Sequence, residues 1–83
     1  MNKFPICPIF IPANKLNYVE KAIKAGADGI IFDLEDSVLS NDKAKAREDL
    51  FKYLLSNNPN IIIYIRVNDI NSENGLRDIE ILS

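Results

Sequence analysis

The sequence contains no histidine, no tryptophan and a single cysteine. Without histidine, the commonest general base and transition-metal ligand is missing, so any chemistry has to use carboxylates, lysine, arginine, tyrosine or Cys7. One cysteine cannot form an intramolecular disulfide, and an unpaired thiol is typical of a reducing compartment. We therefore expect a cytoplasmic protein.

The sequence also lacks a large excess of charge of either sign, and it lacks long apolar runs. The 10 basic residues are offset by 12 acidic ones. The sequence also lacks a basic block with interleaved aromatic residues, the pattern that would indicate nucleic-acid binding. The longest uninterrupted apolar run, residues 61–65, is far shorter than the roughly 20 residues that span a bilayer. The 83 residues, 47% of them hydrophobic, predict one small soluble domain or a piece of a larger one, with neither nucleic acid nor membrane as a partner.

Apolar runs of strand length alternate with segments of helical periodicity. We predict strands over residues 6–11, 29–34 and 61–68, helices over 15–25 and 42–56, a loop over 71–75, and a third helix with the apolar stripe Leu76, Ile79 and Leu82. The second strand is continuously apolar, which is typical of a parallel sheet covered by helices. The order βαβαβα therefore predicts an α/β fold with a parallel sheet and right-handed crossovers.

Four single residues receive local structural predictions. Asn14 is placed to cap the first helix, and Gly26 is placed to end it. Cys7 and Tyr64 lie within predicted strands, so we expect both to pack in the core.

Polar side chains cluster where each predicted strand ends. Asn14 follows the first strand, Asp33 ends the second, and Arg66 lies near the end of the third. In parallel α/β folds, function is concentrated at the carboxyl ends of strands. The alternative, that these are ordinary solvated turn residues, stays open for any one of them.

The acidic segment at residues 33–36 and Arg66 suggest specific chemistry. Strand alternation predicts that Asp33 and Glu35 point to one side and Asp36 to the other. Oxygen ligands without histidine or thiolate suit a hard cation such as Mg²⁺. Arg66 offers a rigid fork for a carboxylate or phosphate, and a compatible alternative is an internal salt bridge to Asp33 or Glu35.

Lys43 and Arg47 are four residues apart near the start of the second predicted helix. They share a face beside the positive end of that helix, where phosphate groups bind favourably. The alternative is a solvated helix face.

Four segments together resemble a known family. Residues 10–14 (FIPAN), 26–38 (GADGIIFDLEDSV), 42–47 (DKAKAR) and 65–68 (IRVN) are similar, in order and spacing, to the amino-terminal third of the citrate lyase beta subunit family. That family includes malyl-CoA lyases and related HpcH/HpaI aldolases. The resemblance covers almost the whole chain. Ser37 stands where the family usually has alanine, and we expect this difference to be harmless.

The resemblance implies a (β/α)₈ barrel that cleaves or forms a carbon–carbon bond in a CoA thioester of the citryl-CoA or malyl-CoA type. The products of cleavage would be acetyl-CoA and a keto acid such as oxaloacetate or glyoxylate, with Mg²⁺ as the cofactor. By the same resemblance, Arg66 would bind the keto acid carboxylate and stabilise the charge of the enolate.

The resemblance assigns the other polar residues to two groups. Glu35 and Asp36 would contact waters of the metal, with Asp33 supporting them. The residues near the CoA phosphates or adenine would be Asn14, Lys43 and Arg47.

A barrel of this kind has about 250 residues, so we expect residues 1–83 to be a single partial domain that supplies its first three βα units. The family's direct metal ligands and thioester-side groups lie on later strands, so we expect the chain alone to be inactive. The complete protein would be a homo-oligomer or a subunit of a lyase complex. Two alternatives stay open: a standalone (βα)₃ module that binds a partner, and a phosphoacceptor domain using Asp33, for which two strands and a strand-end lysine are missing.

Overall fold

The computed structural model describes residues 6–57 and 61–82. Its order of elements is the predicted alternation of strands and helices. The strands are β1 (Pro8–Pro12), β2 (Gly29–Asp33) and β3 (Ile62–Arg66), and the helices are α1 (Val19–Lys24), α2 (Lys43–Ser56) and α3 (Glu73–Leu82). Short 3₁₀ turns at Leu16–Tyr18 and Ser40–Asp42 lead into α1 and α2.

The three strands form one parallel sheet in the order β1-β2-β3. This confirms the predicted α/β class with a parallel sheet. The register aligns Pro12 with Asp33 and Asp33 with Arg66, so the three strands end at the same edge. This register places Asp33 and Arg66 side by side at the carboxyl ends of β2 and β3.

The core lies on one face of the sheet, where α1 and α2 cover it. Alternate strand residues, with Phe32 of β2 fully buried at the centre, pack against Val19 of α1 and Leu50 of α2. The ring of Tyr53 meets Phe32 edge to face at 5.9 Å between centroids. The remaining residues of the strands lie on the opposite face of the sheet, which none of the described helices covers.

That opposite face explains one wrong prediction. Tyr64 is paired in register with Ile31 of β2, and 42% of its surface is exposed rather than packed in the core. Cys7 is also exposed, because it precedes β1. The amides of Ile6 and Cys7 donate to the Asp28 carboxylate, at 2.7 and 2.8 Å, so β1 begins later than predicted.

The two ends of the first predicted helix turn out differently. Gly26 ends it as predicted: its φ is +100°, and the amides of Gly26 and Ala27 donate to the carbonyls of Ile23 and Ala22. Asn14 does not cap it, since Lys15 stands at the start of the 3₁₀ turn and no side chain caps that turn.

Helix α3 begins at Glu73, so the predicted loop 71–75 is confirmed for residues 71–72 and wrong for residues 73–75. Ser72 caps this helix: its hydroxyl oxygen accepts the Gly75 amide at 3.0 Å and its hydroxyl donates to the Asp69 carbonyl. Gly75 has no room for a side chain, since a Cβ there would lie 1.8 Å from the Asp69 carbonyl oxygen. This close approach sets where α3 starts.

The predicted apolar stripe of α3 is not the face that this helix buries. Leu76 and Ile79 are exposed, whereas Gly75 and Asp78 are buried. The side chain of Leu82 lies outside the described residues. In the described part of the chain, no helix is both long and apolar enough to cross a membrane.

Candidate active site at the carboxyl ends of the strands

Asp33 lies at the centre of the site. It ends β2 with 2% of its surface exposed. Its Oδ1 accepts the Glu35 amide at 2.8 Å, and its Oδ2 accepts the Ser37 amide at 3.1 Å and the Ser37 hydroxyl at 2.6 Å. These bonds bend the chain out of the strand immediately after Asp33.

Because of this bend, strand alternation does not continue past Asp33. Asp36 Oδ2 lies 3.8 Å from Arg66 Nη1, and Glu35 Oε1 lies 3.7 Å from Arg66 Nε. The prediction that Asp36 points away from Asp33 and Glu35 is therefore wrong. All three carboxylates lie near one guanidinium.

Arg66 is held edge-on by Asp33. Its Nε and Nη2 donate to Asp33 Oδ1 at 2.9 Å and Oδ2 at 2.7 Å, the two-pronged geometry of a strong arginine–carboxylate pair. The internal salt bridge that the sequence left open is thus formed. These hydrogen bonds hold the pKa of Asp33 well below its usual range, against the effect of burial and with help from the Ser37 hydroxyl. Asp33 therefore remains a carboxylate at neutral pH and does not serve as a proton donor.

Arg66 still has hydrogen-bonding capacity for a ligand. Asp33 uses two of the five N–H groups of the guanidinium, which leaves two on Nη1 and one on Nη2. About 40% of the Arg66 side chain is exposed, and the centroid of the Phe10 ring lies 5.5 Å from the guanidinium carbon. Phe10, Pro12, Asp33, Ser37 and Arg66 line a shallow concavity there.

Lys43, the first residue of α2, binds the back of the same turn. Its Nζ donates to the carbonyls of Leu34 at 3.1 Å and Glu35 at 2.7 Å, and to Asn68 Oδ1 at 2.6 Å. These three bonds use all three ammonium protons. A contact between Lys43 and CoA stays a prediction.

Arg47 is buried, with 6% of its surface exposed, so the alternative of a solvated helix face is wrong for this residue. Its Nε donates to Asp78 Oδ1 at 2.6 Å, and its Nη2 donates to Asn74 Oδ1 at 2.8 Å. Helix α3 covers Arg47 through these partners. The predicted contact with CoA stays untested, and Nε and Nη2 of Arg47 already have protein partners.

Sequence reasoning placed Asn68 in the IRVN motif but gave it no role, and it missed Asp78. Asp78 Oδ2 accepts the backbone amide of Asn68 at 2.8 Å and its Nδ2 at 2.7 Å, so β3 stops short of the predicted residue 68. Asn68 Nδ2 also donates to the Leu34 carbonyl at 2.9 Å. The only sequence signal for Asp78 was its position between Leu76 and Ile79, two apolar residues of the predicted helical stripe. Asn14, by contrast, is exposed and takes part in none of these bonds.

Two of the three carboxylates have oxygens that could face a Mg²⁺ ion or its bound water. Within residues 6–57 and 61–82, no three carboxylate or thiol side chains come together as a metal-binding group. The oxygens of Asp33 already accept five hydrogen bonds. Glu35 and Asp36 are more accessible oxygen donors, suited to accept hydrogen bonds from metal-bound water.

Comparison with known proteins agrees with the motifs. The family model described as HpcH/HpaI aldolase/citrate lyase matches residues 7–83. A (3S)-malyl-CoA thioesterase of Cereibacter sphaeroides is 40% identical over 72 residues, which cover 86% of this chain and 25% of that protein. A citrate lyase subunit beta-like protein of Deinococcus radiodurans is 28% identical over 80 residues, covering 90% of this chain and 28% of that protein.

Solved structures show the same likeness. CitE of Mycobacterium tuberculosis, in complex with magnesium, acetoacetate and coenzyme A, superposes with a TM-score of 0.76 and 32% identity. The match covers 90% of this chain and 27% of CitE. Another complex of the M. tuberculosis protein holds oxaloacetate and magnesium, with a TM-score of 0.75. The chain spans about a quarter to a third of the length of these relatives. It belongs to the HpcH/HpaI aldolase/citrate lyase family.

Proposed function

We propose that this chain supplies the first three βα units of a (β/α)₈ barrel that performs Mg²⁺-dependent carbon–carbon cleavage of a CoA thioester. The substrate is of the citryl-CoA or malyl-CoA type, and the products are acetyl-CoA and a keto acid. Parallel strands in chain order support this proposal, as do the polar side chains gathered at their carboxyl ends. The coenzyme A, magnesium and keto acids in structures of the M. tuberculosis relative support the choice of ligands.

The observation that carries the proposal is the way Arg66 is held. Asp33 fixes its plane from one edge and Phe10 lies against it, while three N–H groups are left for an anion. A guanidinium that is already oriented loses little freedom when it binds a planar carboxylate. Arg66 therefore binds the carboxylate of the keto acid, oxaloacetate or glyoxylate, and its charge stabilises the enolate.

Cleavage places specific demands on this site. The bond between the hydroxyl-bearing carbon and the thioester α-carbon breaks, and its electron pair passes to the thioester as an enolate. The hydroxyl loses one proton as the keto group forms, and the enolate α-carbon takes up one proton to give acetyl-CoA, so the number of protons is conserved. When bound, Mg²⁺ supplies Lewis-acid polarisation of the keto acid oxygens. With Mg²⁺ bound, Glu35 and Asp36 would orient water next to the metal, while Asp33, charged at neutral pH, supports Arg66.

The proposal is tested on the full-length gene product that contains this sequence, with malyl-CoA, citryl-CoA and Mg²⁺. We expect acetyl-CoA release, and we expect Arg66→Lys to lower kcat/KM by about 100-fold or more, because lysine cannot make the two-pronged contacts. Arg77→Lys, at an exposed position of α3, is the matched control and should stay within about twofold of wild type. Wild-type activity in Arg66→Lys would overturn the assigned role. The 83-residue chain assayed alone should be inactive.

The malyl-CoA thioesterase similarity supports a second candidate reaction, hydrolysis of the thioester. The products separate the two. Carbon–carbon cleavage of malyl-CoA releases acetyl-CoA and glyoxylate, whereas hydrolysis releases free CoA and malate. If the gene product yields neither pair, the enzyme proposal fails and the binding-module alternative is favoured.

A further inference from the structure

The turn that follows β2 is hydrogen-bonded from two sides. On the side of Arg66, Asp33 accepts the amides of Glu35 and Ser37. On the side of α2, Lys43 Nζ donates to the carbonyls of Leu34 and Glu35. The peptide groups on either side of Glu35 are therefore both held, and the position of the Glu35 and Asp36 side chains beside Arg66 depends on both sets of bonds.

Lys43 is itself placed by a chain of hydrogen bonds from α3. Its third proton goes to Asn68 Oδ1 at 2.6 Å. An ammonium group only donates and a carboxylate only accepts, so the Asn68 amide has one possible orientation: its oxygen towards Lys43 and its nitrogen towards Asp78. Asp78 is in turn bonded to Arg47 of α2. This cluster joins α2, α3, the end of β3 and the turn after β2.

We propose that Lys43 is a positioning residue, which sets the turn carrying Glu35 and Asp36 at the candidate site, rather than a ligand of the CoA phosphates. This inference rests on the proposed function for the meaning of the site. Its physical basis is that charge-assisted bonds to backbone carbonyls are stronger than neutral ones, and that all three ammonium protons are used within the protein.

The test compares Lys43→Met with Lys45→Met in the full-length gene product. Lys45 lies on the same helix with an exposed side chain paired with Asp49, so it is a matched control for the loss of a charge. We expect Lys43→Met to speed amide hydrogen exchange in residues 34–38 of the ligand-free protein by about tenfold. We also expect a fall in kcat of about 10- to 100-fold. The KM for the CoA thioester should change by less than about twofold.

Lys43→Gln guards against a variant that does not fold. Its amide keeps two donors, so its exchange rate and kcat should lie between those of wild type and Lys43→Met. A raised KM for the CoA thioester with unchanged exchange would show a direct CoA contact and overturn the inference. Faster exchange with unchanged kcat would show that Lys43 stabilises the turn without affecting the reaction, which would also overturn the inference.

Failure of the proposed function is a separate result. If the wild-type gene product processes neither thioester, that function fails by itself. The exchange comparison between Lys43→Met and Lys45→Met then still decides whether Lys43 holds the turn: faster exchange supports the inference, and equal rates overturn it.

Discussion

Replacing Asn68 with aspartate changes a single side-chain group from NH₂ to oxygen and should destabilise the protein at neutral pH. Asn68 Nδ2 donates to the Leu34 carbonyl at 2.9 Å and to Asp78 Oδ2 at 2.7 Å. In Asn68→Asp both bonds are lost, and an oxygen faces the Asp78 carboxylate. The change is nearly isosteric, so packing is preserved and the effect is electrostatic.

The magnitude follows from the partners on each side of Asn68. Two charges about 4 Å apart interact by about 4 kcal/mol at an effective dielectric constant of about 20, so repulsion from Asp78 and attraction to Lys43 nearly cancel. The net cost is then that of the two lost hydrogen bonds. The bond to the carbonyl contributes about 1 kcal/mol, and the bond to the carboxylate contributes about 2 kcal/mol. We therefore expect a loss of about 3 kcal/mol in the free energy of unfolding.

Urea unfolding followed by circular dichroism measures this loss. Asn17→Asp, at an exposed position before α1, is the control and should stay within about 0.5 kcal/mol of wild type. The loss in Asn68→Asp should shrink as the pH is lowered, because a protonated carboxyl group regains a donor. A variant as stable as wild type at neutral pH would refute the assigned orientation of the Asn68 amide and the buried contact with Asp78.

Three further predictions concern stability. Gly75→Ala should cost about 3 kcal/mol, because its Cβ would meet the Asp69 carbonyl at 1.8 Å, and a loss below about 1 kcal/mol in urea unfolding would contradict that close packing. Ser37→Ala should cost about 1 kcal/mol, since the Ser37 hydroxyl donates to Asp33 at 2.6 Å, and an unchanged unfolding midpoint would contradict this. The pKa of Asp33 is lowered in the folded state, so its contribution to stability is complete above about pH 4 and is lost as the pH falls below that value. Asp33→Asn should therefore show a weaker decline of the unfolding midpoint in acid, and an identical decline would contradict the assignment.

The sheet and its functional edge were predictable because their signals are local. Continuously apolar segments with breakers between them identified all three strands, and parallel strands necessarily bring their carboxyl ends to one edge. The pairing of Arg66 with Asp33 was foreseen as one of two compatible roles, since both residues end neighbouring strands. Strand alternation failed for Asp36 because the Asp33 carboxylate binds two amides and ends the strand there.

Helix α3 was predicted poorly because its boundary depends on side-chain capping and its buried face depends on a partner far away in the sequence. Its start at Glu73 depends on the cap, in which Ser72 is bonded to Asp69 and Gly75 and which competes with a loop conformation. Its buried face is set by Arg47, which donates a hydrogen bond to the Asp78 carboxylate. Asp78 is therefore more buried than the apolar Leu76. Apolar periodicity carries no information about such a charged partner.

The sequence by itself determined the βαβαβα order, the parallel sheet and the family, because apolar runs and the motifs at residues 26–38 and 65–68 are contiguous in the chain. Only the tertiary structure decided what the cations do. Lys43 and Arg47 share the predicted face of α2, yet each is bonded to groups that folding brings from 8 to 31 residues away. A cation near a helix start can bind solvent, a ligand or buried acceptors, and the choice depends on which acceptors the packed elements place within reach.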